Sequence, residues 1–448
     1  MKKVLLFITS ALSMTTFAQK TVRLITLDPG HFHAALIQKS MYPQVDPTVH
    51  VYAEEGRDLK LHMERIDGYN KRTASPTSWK EEIYTGKDFF DKMIAEKKGN
   101  VVVLAGNNKL KTDYIVSSIK NGFHVFADKP MAIDSKGFQK LKTAFAEAQK
   151  SGLQLYDIMT ERYEITTMLQ RAFSMEPELF GTLEKGTPED PSVTKISVHH
   201  FYKYVSGSVL TRPSWFFDDK QQGAGIVDVT THLVDLIQWE CFPEQIINYK
   251  KNVKILNTKS WTTPVSVKDF TTVTKEPVPS YLEPIRDAND NLQVKCNGEF
   301  TYQINGVHAK VSVVWNYKAP DGTGDTHYSL MRGTNASLII RQGKEEQFKP
   351  TLYIEQRSKD PNFEQKLKAA LSKVEAKFPD ISLVKHANGW TIAVPDKYNN
   401  GHEAHFGQVT EKYLDYLQNN SMPAWEVPNM IAKYYTTTKA KELADKSK

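Results

Sequence analysis

The chain has 448 residues and a formal net charge of +6, with acidic and basic residues interleaved along its length. This length is sufficient for two or three domains with a large core, and the apolar and charged fractions are those of an ordinary globular protein. Because no run of Lys and Arg could follow a phosphate backbone, the composition argues against a dedicated nucleic-acid surface. We therefore expect no nucleic-acid partner.

The first residues have the pattern of a secretory signal peptide. Lys2 and Lys3 precede a short apolar stretch that ends at a small residue, Ala18. The stretch is too short to span a bilayer stably, so we expect cleavage near Ala18, a periplasmic or otherwise secreted protein, and no membrane insertion. The two cysteines, Cys241 and Cys296, are too few for a disulfide framework, and both free thiols and a single bond remain open.

Residues 21–159 alternate between apolar runs and helical patterns, which predicts a parallel doubly wound sheet. The first run ends in a turn, residues 28–33, at the place of the glycine-rich turn of dinucleotide-binding folds. Of the three expected glycines this turn keeps Gly30, whereas Asp28 and His33 stand where the first and third are expected. By itself the turn is a weak signal.

Two further strand ends carry residues suited to a cofactor. The apolar run 49–53 ends at Glu54, an acid about twenty residues past the glycine turn, where ribose hydroxyls are bound. This position favours NAD over NADP. The fully apolar run 101–105 ends in a turn containing Asn107 and Asn108, which could offer amides to a cofactor. Between these two runs, we expect a loop and broken helix over 57–78.

Residues 121–132 carry the most informative strand. Its apolar run, 123–127, ends in Asp128, Lys129 and Pro130. A Lys at the carboxyl end of a buried strand is unusual, and in open α/β sheets that end is where ligands bind. Pro130 restricts Lys129 to an extended backbone, which aims its ammonium group. The alternative is a solvated loop lysine.

The pattern changes after Arg162, where mostly alternating segments are typical of an antiparallel sheet with one solvated face. The predicted strands are 194–204, 253–256, 270–273, 293–304, 307–317, 327–332, 336–341 and 350–355. We expect the fold class α/β, with a signal peptide at 1–18 followed by two domains. These are a Rossmann domain over 19–160 and an α+β substrate and oligomerisation domain with an open sheet over 161–448.

A second anchor lies in residues 223–239, where glycines precede an apolar helical pattern. Asp228 and His232 are four positions apart, which on a helix places them on one face, and Asp235 follows three positions later. A carboxylate and an imidazole on an otherwise apolar helix suit a general base held by its partner. A polar pair that only packs or caps is the alternative.

Together, the two segments resemble the signature of the glucose-fructose oxidoreductase, inositol dehydrogenase and rhizopine-catabolism (Gfo/Idh/MocA) family. That signature is a strand followed by Glu-Lys-Pro and, later, Gly-Gly-x-x-x-Asp-x-x-x-His-x-x-Asp. Here Lys129 and Pro130 match the first part, and Gly225, Asp228 and His232 match the second in order and spacing. The turn 333–334, Gly-Thr, also looks like the family's turn between sheet strands. The chain is similar to a secreted Bacteroidetes-type branch of this family.

The resemblance implies a nucleotide-binding domain and an open-sheet domain with NAD(P) between them. Lys129 would hold the reacting sugar hydroxyl near the nicotinamide, His232 would be the general acid/base, and Asp228 would orient the substrate or His232. The residues that would line the cofactor are Gly30, His31, His33, Glu54, Asn107, Asn108, Asp128 and Lys129. The chain departs from the family at Asp128, which replaces Glu, and at the altered glycine turn, which puts ordinary pyrophosphate binding in question.

Other polar and aromatic residues are candidates for the substrate or for a metal. We expect substrate contacts from Arg162, His200, Tyr202 and Trp215, although core packing is the alternative for the aromatic side chains. The histidine pairs at 31 and 33, 199 and 200, and 402 and 405 lack the H-E-x-x-H spacing of zinc proteases. We therefore expect no metal site.

Three functions fit these residues. The first is an oxidoreductase that transfers hydride from a carbohydrate or polyol hydroxyl to NAD. A secreted enzyme has no obvious way to recycle free NADH. The second function therefore is a glycoside-cleaving enzyme whose tightly bound NAD is reduced and reoxidised within one turnover. The third is a non-catalytic carbohydrate-binding protein, which would need neither Lys129 nor His232. The expected partner is a small sugar, polyol or glycoside, and the resemblance implies a dimer or tetramer.

Overall fold

The first sheet is built from the N-terminal strands. The computed structural model describes residues 21–205 and 208–447, so the predicted signal peptide lies outside the described residues. The strands are β1 (Leu24–Leu27), β2 (Thr48–Ala53), β3 (Lys80–Thr85), β4 (Val101–Leu104), β5 (His124–Asp128) and β6 (Leu155–Ile158). All are parallel, in the order β3-β2-β1-β4-β5-β6. This strand order is that of a Rossmann domain.

The helices of this part are α1 (His33–Ile37), α2 (Arg57–Lys71), α3 (Phe89–Glu96), α4 (Asn108–Lys120) and α5 (Ser135–Lys150). Asp134 caps α5, because its carboxylate accepts a hydrogen bond from the amide of Gly137 at 2.6 Å. The broken helix expected within 57–78 was wrong, whereas the expected loop is present over 72–79. The helix α2 is continuous to Lys71 and buries one face, and β3 escaped prediction because this edge strand is rich in Lys and Glu.

The second sheet has nine strands and is mixed, with the order β10-β11-β12-β7-β13-β14-β15-β17-β16. Its strands and a small separate hairpin, β8 and β9, are β7 (Val193–Tyr202), β8 (Tyr204–Val205), β9 (Ser208–Val209), β10 (Val253–Ser266), β11 (Asn291–Ile304), β12 (Val307–Lys318), β13 (Thr326–Arg332), β14 (Ala336–Arg341), β15 (Thr351–Gln356), β16 (Ser382–His386) and β17 (Gly389–Ala393). Strands β7 and β12 pair in parallel and the other neighbours are antiparallel. The predicted fold class is confirmed.

The remaining helices are α6 (Ile165–Ser174), α7 (Pro177–Phe180), α8 (Thr230–Cys241), α9 (Tyr249–Asn252), α10 (Val267–Thr274), α11 (Phe363–Glu375), α12 (His402–Asn419) and α13 (Glu426–Lys446). The strand predicted over 270–273 was wrong, because these residues belong to α10. Ser266 caps α10 by accepting from the Asp269 amide at 3.1 Å, and Phe270 and Val273 are buried at helical spacing.

Packing links the end of the chain to both sheets. Helix α12 lies in the core of the first sheet, where the Tyr413 ring stacks on Phe126 with centroids 4.4 Å apart. A helix within the predicted second domain, 161–448, therefore packs in the core of the first sheet. Cys241 and Cys296 are both free thiols. Within the described part of the chain, no helix is both long enough and apolar enough to cross a bilayer.

Candidate active site

The tip of β5 meets the segment before α8. Lys129 follows β5 directly, and its Nζ lies 2.5 Å from Oδ1 of Asp228. Both side chains are buried, with 10% and 5% of their surface exposed. The residues are 99 positions apart in the chain, so the fold brings together the two segments that carry the family signature.

Asp228 does not lie on the helix that carries His232. It follows a 3-10 turn, Gly225–Val227, and α8 begins two residues later at Thr230. The helical stacking expected for this pair was therefore wrong, and Asp228 pairs with Lys129. Gly225 allows this turn to approach β11, because an added Cβ would lie 1.7 Å from the carbonyl oxygen of Cys296.

His232 is a buried imidazole with an unused nitrogen. Its Nδ1 has no hydrogen-bond partner among the described residues. Burial lowers the pKa of His232 well below its ordinary value, and the nearby Lys129 ammonium lowers this pKa further. The imidazole is therefore neutral at physiological pH, which is the form that accepts a proton.

The first turn adds two more imidazoles beside the same strand tip. His33 Nδ1 lies 2.9 Å from Oδ2 of Asp128, and His31 Nδ1 lies 3.7 Å from the same oxygen. The rings of His31 and His33 meet edge to face, with centroids 4.0 Å apart. Sequence analysis placed these three residues at the cofactor without foreseeing that they would form one cluster.

The amide groups of the first turn are already bonded. The N–H groups of Gly30 and His31 both donate to the carbonyl oxygen of Ala105, at 3.2 and 2.9 Å. In a dinucleotide-binding turn, such amides approach the pyrophosphate. Here they fasten the turn to the end of β4.

The space above Gly30 is narrowed by two side chains, Asp58 and Trp215. A Cβ added to Gly30 would lie 3.0 Å from Oδ2 of Asp58 and 3.2 Å from the Trp215 ring. Trp215 Nε1 donates to that Asp58 oxygen at 2.9 Å. Asp28 adds a second carboxyl group, whose pKa is raised to about 6 chiefly by burial. These carboxyl groups oppose a pyrophosphate, whereas Arg65 and Arg212, which line the same pocket as Gly30 and Asp58, would favour one.

The tip of β4 is covered in the same way. Asn107 Nδ2 donates to Gln221 Oε1 at 2.8 Å, and Asn108 Nδ2 donates to the carbonyl oxygen of Gln222 at 2.7 Å. Glu54, at the tip of β2, is exposed. The crevice thus has two unlike halves. At Lys129 and His232 it presents an ammonium group and a neutral imidazole, whereas at Gly30 the side chains of Trp215 and Asp58 occupy the place where a dinucleotide-binding turn receives the pyrophosphate.

Arg162, a predicted substrate contact, lies in a buried ion-pair network. Its Nε and Nη2 donate to the Asp235 carboxylate at 2.6 and 2.7 Å, and its Nη1 donates to Glu426 at 3.0 Å. Lys433 lies 2.7 Å from both Asp235 and Asp157. Burial opposes ionisation of Asp235, but Arg162 and Lys433 outweigh it and hold the pKa of this carboxyl well below its usual range.

A second polar group lies on β7. His200 is buried and its Nδ1 lies 3.2 Å from Asp325, which also contacts His199 at 3.1 Å and Lys203 at 2.8 Å. Tyr202 is half-buried on the same strand. Asp325 and Lys203 were not predicted from the sequence, since neither belongs to a motif. Asp58, Gln221 and Gln222, whose side chains or backbone lie over the first turn and the tip of β4, were not predicted either.

Two family models match the chain. Residues 53–156 match "Oxidoreductase family, NAD-binding Rossmann fold". Residues 169–445 match "Putative oxidoreductase C terminal domain". No curated protein matches the chain.

Solved structures of oxidoreductases are also similar to the chain. A "putative oxidoreductase" from Parabacteroides merdae is 52% identical, with a TM-score of 0.93 and coverage of 96% of this chain and 99% of that one. A levoglucosan dehydrogenase in complex with NADH and levoglucosan is 12% identical, with a TM-score of 0.60 and coverage of 95% and 98%. A 3-ketoreductase from Actinomadura kijaniata in complex with NADP is 12% identical, with a TM-score of 0.57 and coverage of 94% and 97%. The last two likenesses show the fold.

Proposed function

Since the chain belongs to the Gfo/Idh/MocA family of NAD(P)-dependent oxidoreductases, we propose that it acts on a hydroxyl-bearing carbon of a carbohydrate or polyol. The observation that carries this proposal is the contact of Lys129 with Asp228 at the tip of β5, with the His232 imidazole near enough for the ammonium to lower its pKa. A buried ammonium beside a neutral imidazole is suited to an alcohol that becomes a carbonyl group.

Oxidation of a carbinol removes one proton and one hydride. The neutral imidazole of His232 accepts the hydroxyl proton, and positioned acid–base groups of this kind contribute about 10²–10⁴-fold to rate. The Lys129 ammonium stabilises negative charge on the developing alkoxide. Asp228 holds Lys129 in place through the 2.5 Å contact. A bound nicotinamide cofactor would accept the hydride, while the side chains of this chain position the substrate and transfer the proton.

The substrate class is supported by two neighbours in structure, a dehydrogenase bound to levoglucosan and a 3-ketoreductase. We propose that His200 and Tyr202, on β7 of the open sheet, contact the sugar. The hydrogen-bond donors of Arg162 face Asp235 and Glu426, so we assign Arg162 to the fold. We propose NAD as the cofactor, with Glu54 at the ribose. A dinucleotide in the usual crevice would require Trp215 and Asp58 to move away from Gly30.

The test measures cofactor and activity separately. Mass spectrometry of the purified protein is expected to find bound NAD, and added NAD is expected to change Trp fluorescence in the wild type but less in Trp215→Phe. A panel of sugars, polyols and nitrophenyl glycosides is then followed at the absorbance of NADH and of nitrophenolate. NADH formation without cleavage supports the proposal, whereas cleavage without net NADH supports the redox-neutral glycosidase.

The assignment of the site rests on variants. We expect His232→Gln to lower kcat/KM by about 10²-fold or more, because the proton acceptor is lost. The matched control, His308→Gln, removes an imidazole on β12 of the second sheet and is expected to keep wild-type activity. Unchanged activity of His232→Gln, or a protein with neither bound NAD nor any NADH signal, would contradict the proposal.

A further inference from the structure

The two histidines of the first turn form a compact cluster with Asp128. Ligand-type atoms of His31, His33 and Asp128 all lie within 4.8 Å of one another. The side chains are 13%, 9% and 5% exposed, so the group is nearly closed to solvent. No metal site was expected from the sequence, because the histidine pairs lack the H-E-x-x-H spacing of zinc proteases.

The spacing of the atoms suits a metal ion. Ligand atoms about 2.1 Å from a tetrahedral zinc ion lie about 3.4 Å apart. In this cluster His33 Nδ1 lies 2.9 Å from Asp128 Oδ2, and His31 Nδ1 lies 3.7 Å from the same oxygen. Small shifts would equalise them.

A hydrogen bond between histidine and aspartate explains only part of the cluster. It satisfies His33 and Asp128, but His31 Nδ1 is buried and has no hydrogen-bond partner among the described residues. An unpaired buried nitrogen costs free energy unless something binds it. A metal ion shared by the three residues would bond this nitrogen.

The backbone explains how the imidazoles reach Asp128. Strand β4 lies between β1 and β5, so the first turn must cross the tip of β4. Gly106 permits this crossing, because an added Cβ would lie 2.1 Å from the carbonyl oxygen of Asp28. The bonds from Gly30 and His31 to Ala105 then hold the turn in place. The contacts that withdraw the amides from a pyrophosphate therefore also position the imidazoles.

Two of the positive groups around the cluster are paired with carboxylates. Lys129 is paired with Asp228 at 2.5 Å, and Lys203 is paired with Asp325 at 2.8 Å. Lys111 donates to the backbone carbonyl oxygen of Asp128 at 3.1 Å and leaves the carboxylate to the histidines. Pairing with carboxylates reduces the repulsion that Lys129 and Lys203 would exert on a bound cation, whereas Lys111 and Arg212 remain positive neighbours of the imidazoles.

We propose that His31, His33 and Asp128 bind one divalent transition-metal ion of the Zn²⁺ class. Two imidazoles and one carboxylate form a ligand set used by zinc and by non-haem iron. Three protein ligands leave a coordination position for water or a substrate oxygen. The proposal is independent of hydride transfer, because metal content can be measured without substrate.

The test uses the full chain with a histidine-free affinity tag. After dialysis against Zn²⁺ and then against metal-free buffer, elemental mass spectrometry is expected to find about one Zn²⁺ per wild-type chain. The double variant His31→Ala/His33→Ala is expected to lose it. The matched control His308→Ala/His386→Ala removes two imidazoles of the second sheet and is expected to retain the ion. A wild type without zinc, or a double variant that keeps it, overturns the proposal.

A second measurement needs no variant. X-ray absorption at the zinc edge of the wild type is expected to show nitrogen and oxygen neighbours, with the multiple scattering of two imidazoles. A spectrum dominated by sulfur, or by oxygen alone, overturns the proposal even if the double variant fails to fold. Asp128→Asn, which keeps the size of the side chain, is expected to lower the zinc content strongly.

Discussion

Helix α8 contributes to two buried charged regions that differ in one respect. Towards its beginning, His232 lies near enough to Lys129, the partner of Asp228, for that ammonium to lower the pKa of the imidazole, and its Nδ1 is unpaired among the described residues. One turn later, Asp235 receives bonds from Arg162 and Lys433 at 2.6 to 2.7 Å. The first region keeps an unused nitrogen at a strand tip, whereas the second satisfies its charges internally.

The difference shows how to separate structural from chemical charges. A buried charge whose partners are all protein groups holds elements together, since removing one partner leaves another charge unpaired. A buried imidazole without a partner is available to a ligand or to a proton. Both belong to the same motif, Asp-x-x-x-His-x-x-Asp, so the motif itself does not distinguish them.

The largest expected effect is on the network. Asp235→Ala is expected to lower the free energy of unfolding by about 3–5 kcal/mol, because Arg162 and Lys433 would be left buried without this carboxylate. Urea denaturation followed by circular dichroism measures the loss. Asp235→Asn is the matched control for side-chain size, and it isolates the effect of charge. If Asp235→Ala unfolds like the wild type, the network is not a structural element.

The next largest effect is a loss of activity that leaves the stability of the fold nearly unchanged. We expect the double variant Lys129→Met/Asp228→Asn to lower kcat/KM by about 10²–10³-fold, because the alkoxide loses its ammonium. Removing both charges leaves no unpaired partner, so the urea midpoint is expected to change little. Lys120→Met, on the exposed end of α4, is the activity control. A variant that keeps activity but loses stability would reassign Lys129 to the structural class.

A smaller effect is expected at a buried acid outside both regions. Glu81 on β3 accepts from Gln38 at 2.6 Å, and its Oε2 is buried without a hydrogen-bond partner in the described residues. Burial raises the pKa of Glu81 from 4.5 to about 7. The folded chain therefore holds a proton between these values that the unfolded chain has lost, and this stabilisation disappears as the pH rises through about 7.

The corresponding variant is Glu81→Gln, which cannot ionise. It is expected to match the wild type near pH 4.5 and to be more stable by about 1–2 kcal/mol at pH 8, after allowance for partial exposure. Urea denaturation at the two pH values measures the difference. An equal effect of the substitution at both pH values would show that Glu81 titrates normally.

The smallest effect on stability is expected at a solvent-exposed ion pair. Lys71 and Asp67 form an ion pair one helical turn apart on α2, but 75% and 59% of their side-chain surfaces are exposed. Solvent screens such pairs, so Lys71→Ala is expected to leave the urea midpoint within measurement error. A clear loss of stability here would mean that burial does not distinguish the charges compared above.

Much of the fold followed from local patterns. The runs that became β4 and β5 were predicted because parallel strands are buried on both faces and are apolar throughout. Lys129 and His232 were predicted as a pair because the signature names them. Strand β3 and helix α10 were mispredicted, since a polar edge strand lacks the apolar pattern and a short helix can resemble a strand.

The sequence by itself determined the family, the two sheets and the signature residues Lys129, Asp228 and His232, because periodicity and motifs are properties of neighbouring residues. Only the tertiary structure decided what these residues contact. His33 and Asp128 are 95 positions apart, and Asn108 and Gln222 are 114 apart. Such pairs depend on how strand tips and loops pack across the crevice, where each amide and imidazole bonds to the nearest partner in space.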